Sequence, residues 1–369
     1  MNTIPVKTFQ DYIPIYDGDR YCLMCRHVCP VERVTKRETT TPHGWALLIA
    51  SVIRGSLQWD ADTVDTLYQC SDCATCQANC ATDRPLPAAL KAARAEVVRL
   101  GQQPASVVDI ERKLREWGNP YGPLTAPTEA QAKSEVGLYV GATAHFLQPQ
   151  AIAAAQKLLG AMGIQPTLLS AGRSSGYLPY ALGLWDIARE LARQTVEEIV
   201  ASGVREVLTL TAEDAHAIKH VYYELGLMPP PQVRVMHLAE YLAPQVASGA
   251  LKIRPLELQA VTYHDPCHAL ALPDHAKAAR QLIVALTGNA PREMLWREQR
   301  AAPCGATGGL EFTQPKLAAA MAQKRLDGAR DIGAEIVLTD DPHCVSHLVQ
   351  HAAGLSVQNL IEVLAQQLA

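Results

Sequence analysis

Ten cysteines carry most of the chemistry that this 369-residue chain offers, and seven of them fall between positions 22 and 80. The stretch CSDCATCQANC sets Cys70, Cys73, Cys76 and Cys80 at the spacing C-x2-C-x2-C-x3-C. Three thiolates two residues apart wrap the corners of an iron–sulfur cubane, and the fourth cysteine of such a run serves a neighbouring cluster. Upstream, DRYCLMCRHVCP brings Cys22, Cys25 and Cys29, followed by Pro30, with Asp19 where the first cysteine of a like run would stand. Crossing the two runs gives one 4Fe–4S cluster Cys70, Cys73, Cys76 and Cys29. The other takes Cys22, Cys25 and Cys80, with Asp19 facing its fourth iron. Three outcomes are open there: an oxygen ligand completing a 4Fe–4S cluster, a 3Fe–4S centre, or a solvated loop aspartate beside an iron that takes another ligand. A carboxylate is harder than a thiolate and binds iron more weakly. Zinc also uses C-x2-C pairs, but it leaves the x2-x2-x3 rhythm and Pro30 without a reason.

The elements around these runs read as helices. Thr41 is a good N-cap with Pro42 at the first helical position, and Ala46, Leu47, Ile49, Ala50 and Ile53 follow at helical spacing. A short helix is expected from about Ala61 to Tyr68, and PAALKAARAEVVRLG and ASVVDIERKLREWG read as two more. Residues 119–135, rich in Pro, Gly and small side chains, read as a linker. Beyond it the texture changes to buried-strand runs (VGLYVGA, EVLTLT, AVTYHDPCH, EIVLTDDPHC) alternating with long helices, which argues for parallel α/β sheets. A long helix, a glycine and a strand holding Val-Leu-Thr recur in that order, at 207–209 and 337–339, as in an internal duplication.

The remaining cysteines, Cys267, Cys304 and Cys344, follow strands or lie in Gly- and Pro-rich turns. Loops at the carboxyl ends of parallel strands converge on one crevice, so the three are expected to form a site. The alternative is three separate cysteines buried as small apolar residues.

At this point the residues resemble a known family. YHDPCH, then PCG-x-x-GG, then DPHC is similar to the CCG (cysteine-rich) domain of heterodisulfide reductase subunits and of the iron–sulfur subunit of glycolate oxidase and related dehydrogenases. TPHGWALL between the two cysteine runs resembles the Ser/Thr-Pro-Arg-Gly motif of the same proteins. The resemblance implies an α-helical dicluster ferredoxin module over 1–118, the linker, and two CCG-like α/β units at 136–255 and 256–369. The first unit lacks cysteines: YVGATAH and SAGRSSGY stand where they would be expected. Asp19 and Ala81 depart from the family's runs, Pro303-Cys304-Gly305 replaces its Cys-Cys-Gly, and Asp341-Pro342-His343-Cys344 its Cys-Pro-x-Cys. Paired cysteines hold the noncubane cluster of heterodisulfide reductases, so their absence weighs against disulfide reduction. Three thiolates could hold a third iron–sulfur cluster with one open position, or zinc with His268, His264 or Asp341 as fourth ligand.

The chain has no G-x-G-x-x-G after a strand and no Walker sequence, so it is not expected to bind flavin or nucleotide itself. The resemblance implies an electron-transfer subunit between a FAD-dependent dehydrogenase and a second partner, with a quinone or a membrane redox protein as candidates. One alternative is a catalytic, heterodisulfide-reductase-like subunit, with His264, Asp265 or His268 as proton donors at the C-terminal site. Another is structural zinc at that site. A net charge of −4 and 5% aromatic residues argue against a nucleic-acid partner. The longest apolar run near the N-terminus, WALLIASVI, is nine residues, far below the roughly 20 of a membrane span. MNTIPVKTFQDYIPIYDGDR does not read as an export signal. A cytoplasmic chain with reduced thiols is therefore expected, with attachment to the inner membrane only through a complex.

Overall fold

The computed structural model describes residues 7–124, 133–258 and 260–369. Part of the stretch read for an export signal and the middle of the 119–135 linker lie outside them.

The first 118 residues contribute helices whose packing brings the two cysteine runs together. In the helix Pro42–Ile53, Thr41 Oγ1 accepts the Gly44 N–H at 2.9 Å, so the cap foreseen from TPHG is in place. Gly44 has its own reason: a Cβ there would sit 2.2 Å from the Glu38 carbonyl oxygen. The chain leaving the first run crosses too close to the helix for any side chain. Trp45, fully buried, donates its indole N–H to Thr66 O at 2.8 Å and so ties this helix to Ala61–Leu67, which leads into Cys70. The helix Leu86–Arg99 buries Ala89, Ala92, Ala93 and Val97, and Tyr16 donates to Ala89 O at 2.6 Å. This core runs on without a break into Leu182, Ile187, Leu310 and Met321.

Two small parallel sheets follow. Strands β1 (Val136–Tyr139), β2 (Thr167–Leu169), β3 (Glu206–Thr209) and β4 (Arg234–His237) lie in the order β2-β1-β3-β4. Strands β5 (Val261–Tyr263), β6 (Ile336–Thr339) and β7 (Ser356–Asn359) lie in the order β5-β6-β7. A parallel bridge from Thr262 to Arg292 takes the place that β2 holds in the first sheet. Gly137 pairs with Val207, and Thr262 with Val337, so aligning the two Val-Leu-Thr segments superposes the registers. Helix caps repeat as well: Thr211 and Asp341 follow β3 and β6, and His237 and Asn359 end β4 and β7. The recurrence read from three residues is thus present in topology, register and capping.

Strands β2, β4 and β7 were not legible in the sequence. The first has three residues, and the other two are edge strands, RVMH and SVQN, each with one fully buried position. Strands this short, or this exposed, carry too little alternation to detect.

Between the sheets lies one shared apolar layer. The helix Leu238–Ala247 packs on His275–Thr287, and Leu360–Gln366 packs on Pro149–Ala161. Leu158, Leu242, Leu282 and Leu364 belong to one core together with Leu138, Leu208, Tyr263 and Leu338 from the strands. Each Leu buried here contributes on the order of 1.5–3 kcal/mol, so the two α/β units stabilise each other. Among the described residues, no helix is long and apolar enough to cross a membrane.

Candidate metal centres

The N-terminal cysteines sit on turns rather than in long helices. Cys25 lies in the short helical turn Met24–Val28, and Cys29 begins the helix Pro30–Thr35. In the second run Asp72 and Ala74 adopt left-handed φ values of 51° and 57°, which curls the loop around Cys73. That conformation is costly for residues with a Cβ and persists where surrounding contacts hold it. Here the hold is visible. The Asp72 carboxylate takes Lys91 Nζ at 2.8 Å on one oxygen and the Tyr177 hydroxyl at 2.8 Å on the other. Arg94, also buried, donates to the carbonyls of Cys70 at 2.7 Å, Leu67 at 3.2 Å and Ala181 at 2.9 Å.

The charge environment shows which thiols are neighbours. Burial pushes the Cys25 thiol up to about 11, and Cys22, Asp19 and Cys80 add to the shift. Burial raises Cys29 well above the ordinary thiol range, with Cys73 and Cys70 adding to it. Cys76 is raised likewise by burial, then by Cys73, Cys70, Cys29 and Cys25. Cys25 is thus linked to Cys22, Asp19 and Cys80, and Cys29 to Cys73 and Cys70, while Cys76 feels thiols of both runs. A metal replaces the protons such buried thiols would otherwise keep, so the donor set fits iron–sulfur clusters. Asp19 is 8% exposed; burial raises its carboxyl, and Arg84 at 3.5 Å opposes the shift.

In the C-terminal half, Cys267, Cys304 and Cys344 are all buried. The sulfurs of Cys304 and Cys344 and a ring nitrogen of His264 lie within 4.8 Å of one another. The Cys344 S–H holds the Cys304 thiol below its ordinary range, and Cys344 is raised in turn. Burial raises Cys267, followed by the charges of Cys304 and then of Cys73 from the N-terminal run.

Other residues marked by the sequence have different tasks. Asp341 Oδ1 accepts the N–H groups of His343 at 2.9 Å and Cys344 at 3.3 Å, and Oδ2 accepts Ala212 N–H at 2.9 Å. Its carboxylate therefore caps the helix Pro342–Val349 and ties it to the first unit. His268 faces Thr307 at 3.4 Å and Glu213 at 3.6 Å, and its ring lies 4.4 Å from that of Tyr177. Asp265 pairs with Arg280 at 2.8 and 3.1 Å.

The two cysteine regions abut. Gly308, in the loop after Cys304, has room for no side chain: a Cβ would lie 2.8 Å from Asp72 Cβ and 3.1 Å from Ser71 O. Thr75 donates to Ala301 O at 3.2 Å, and Arg300 Nε to Asn79 Oδ1 at 3.1 Å.

A second group, His237, His275 and Asp340, is also compact enough for a metal and was invisible in the sequence, because its members come from three distant elements. Its hydrogen bonds give it another role. His237 Nε2 donates to Leu210 O at 3.2 Å and its Nδ1 accepts Ala239 N–H at 3.2 Å, which leaves no lone pair for an ion. His275 Nε2 is 3.1 Å from Asp340 Oδ2, and Tyr263 donates to Asp340 Oδ1 at 2.9 Å. This is a buried ion pair at the junction of the two units. Burial alone would raise Asp340, but His275 and His237 hold it far below the usual carboxylate range. Burial alone would lower His275, and Asp340 raises it instead. The pair's contribution is full between the unfolded pKa values of aspartate and histidine, about 4 and 6.5. It is lost as pH rises through the raised pKa of His275. His275→Gln is expected to cost about 3–5 kcal/mol at pH 6, and the gap to wild type should narrow by pH 9. Urea midpoints at the two pH values check this; a gap of constant size would refute it.

Comparison with known proteins bears on the cysteines directly. Residues 261–349 match the cysteine-rich domain family, CCG. The chain is 26% identical over 323 residues to a dihydromethanophenazine:CoB–CoM heterodisulfide reductase subunit of Methanosarcina barkeri, covering 82% of this chain and 78% of that one. It is 24% identical over 356 residues to an uncharacterised iron–sulfur protein of Methanocaldococcus jannaschii, covering 92% and 69%. It is 23% identical over 346 residues to the EtfAB:quinone oxidoreductase of Syntrophomonas wolfei, covering 84% and 46%.

Proposed function

We propose, from the premise that this chain carries a CCG cysteine-rich domain and resembles redox iron–sulfur subunits over four fifths of its length, that it relays single electrons through three adjoining sulfur-lined sites. Cluster one takes Cys29, Cys70, Cys73 and Cys76. Cluster two takes Cys22, Cys25 and Cys80, with Asp19 at its fourth corner, as a 4Fe–4S or 3Fe–4S centre. Cys267, Cys304 and Cys344 hold a third cluster or zinc. The helical module, the linker, the unit at 136–255 without cysteines and the unit at 256–369 are the domains of this reading.

The observation that carries it is the order of the thiols. Cys25 of the second group acts on the charge of Cys76 in the first, and Cys73 of the first acts on Cys267. In this reading the sites form a series from exposed Cys22 to buried Cys267. A series with no flavin or nucleotide sequence among its strands suits single-electron transfer, in which potential is tuned by ligands, charge and burial. A FAD-dependent dehydrogenase is the partner we assign to one end and a quinone or membrane redox protein to the other. A groove of about 1380 Å³ bordered by Asp265, Pro266, Arg280 and Leu295 lies beside the Cys267 loop and would receive the latter. In this reading the chain works at the cytoplasmic face of the membrane as part of a complex.

Anaerobic reconstitution with iron, sulfide and zinc quantitation, followed by EPR of oxidised and dithionite-reduced protein, tests the assignment. About seven or eight irons per chain is the expected minimum for two clusters, depending on whether the second is a 3Fe–4S or a 4Fe–4S centre, and a value below about three would sink the relay. A 3Fe–4S signal in the oxidised state would settle what stands at Asp19. Zinc beside those irons would make the C-terminal site structural.

A further inference from the structure

The group formed by His264, Cys304 and Cys344 has the look of a metal site with a histidine ligand, yet its hydrogen bonds say otherwise. Arg325 Nε donates to His264 Nδ1 at 2.8 Å, and both residues are buried. A guanidinium has only N–H groups to offer and no lone pair, so Nδ1 is the acceptor. A neutral imidazole carries one N–H, which therefore sits on Nε2. That nitrogen is buried and has no hydrogen-bond partner among the described residues. The ring lies within 4.8 Å of both sulfurs. One lone pair is spent on Arg325 and the other nitrogen holds a proton, so the ring cannot ligate a metal without losing its partner.

We propose that His264 is a hydrogen-bond donor to the Cys304–Cys344 sulfurs rather than a ligand, with Arg325 as the positioning residue that fixes its tautomer. Arg325 is itself held, through Nη1 donating to Trp296 O at 2.5 Å. The duplicated unit supplies an internal comparison. By register, His264 corresponds to Tyr139, whose side-chain neighbour is Thr195. The first unit has neither cysteines nor the Arg–His pair; the second has both. Donors aimed at cluster sulfurs raise the reduction potential, so His264 tunes the site without occupying a coordination position.

This rests on the reading that Cys304 binds metal, and the test separates the two. In the anaerobically reconstituted full chain, Cys304→Ala identifies the metal and EPR signal of the C-terminal site. If that variant changes neither, the metal reading fails, and the proposal with it. Against that baseline, His264→Gln keeps an oxygen to accept from Arg325 and an N–H to donate, whereas His264→Leu keeps neither. Both variants are expected to retain the site's metal. His264→Gln should titrate near wild type, and His264→Leu should show its midpoint shifted to lower potential. Loss of the site's metal in both variants, with the iron of the N-terminal clusters intact as a folding control, would make His264 a ligand. An unchanged midpoint in His264→Leu, or a redox-silent zinc at the site, would overturn the tuning role.

Discussion

Serine at Cys29 is expected to abolish the same cluster as serine at Cys73, although the two residues belong to different runs. Each substitution should remove about four irons per chain, together with one EPR signal of the reduced protein. The reason is that the charges of Cys73 and Cys70 act on Cys29, whereas those of Cys22, Asp19 and Cys80 act on Cys25. Combining Cys29→Ser with Cys73→Ser should therefore cost no more iron than either alone. Combining Cys29→Ser with Cys80→Ser should remove both clusters. Groups that act as a unit are not additive, whereas independent ones are, so iron and sulfide counts on the four proteins decide the matter. Equal losses for the two double variants would refute the crossed arrangement.

Asp72→Ala is expected to destabilise the protein by about 3–5 kcal/mol, the range found when one partner of a buried ion pair is removed. Lys91 would be left enclosed without its counter-charge, and the Tyr177 hydroxyl would lose its acceptor. The damage would not stay local. Asp72 stands where the cysteine loop, the helix Leu86–Arg99, the first α/β unit and the Gly308 loop of the second meet. Its left-handed φ of 51° also depends on these contacts. Adding Lys91→Met to Asp72→Asn removes both charges, and replacing both members of a buried pair is often close to neutral. The double variant should recover most of the stability lost by Asp72→Ala. Denaturant midpoints of the variants measure this, and a double variant as weak as the single one would locate the effect in the backbone instead.

The cysteine runs could be read without the fold because metal spacing is local: three residues apart on one chain is nearly a geometric statement. The cap at Thr41 and the long helices were legible for the same reason. What could not be read was everything that depends on chain segments far apart. Asp341 looked like an oxygen ligand because it precedes Cys344, and only the fold shows its oxygens committed to three backbone N–H groups, one of them from Ala212 in the other unit. His264 was named for its nearness to Cys267 in sequence, yet it meets Cys304 and Cys344 instead. The His237–His275–Asp340 junction had no local signature at all. Nor did the shared helical layer, since an alanine-rich amphipathic helix does not announce which sheet it will cover.

The gradient of exposure among the ten cysteines has a consequence for assembly. Cys29, Cys73, Cys267, Cys304 and Cys344 are all buried, whereas Cys22 opens to solvent. In the relay proposed above, iron is expected to reach these buried thiols before the helical module seats on the α/β units. Loading of the proposed clusters is then expected to run from the buried thiols outward, with the cluster that takes Cys22 filled last. Loss is expected in the reverse order, with air or a chelator reaching the cluster that takes Cys22 first. On the proposed assignment, the cluster nearest solvent is the most replaceable and the sites under the fold the least.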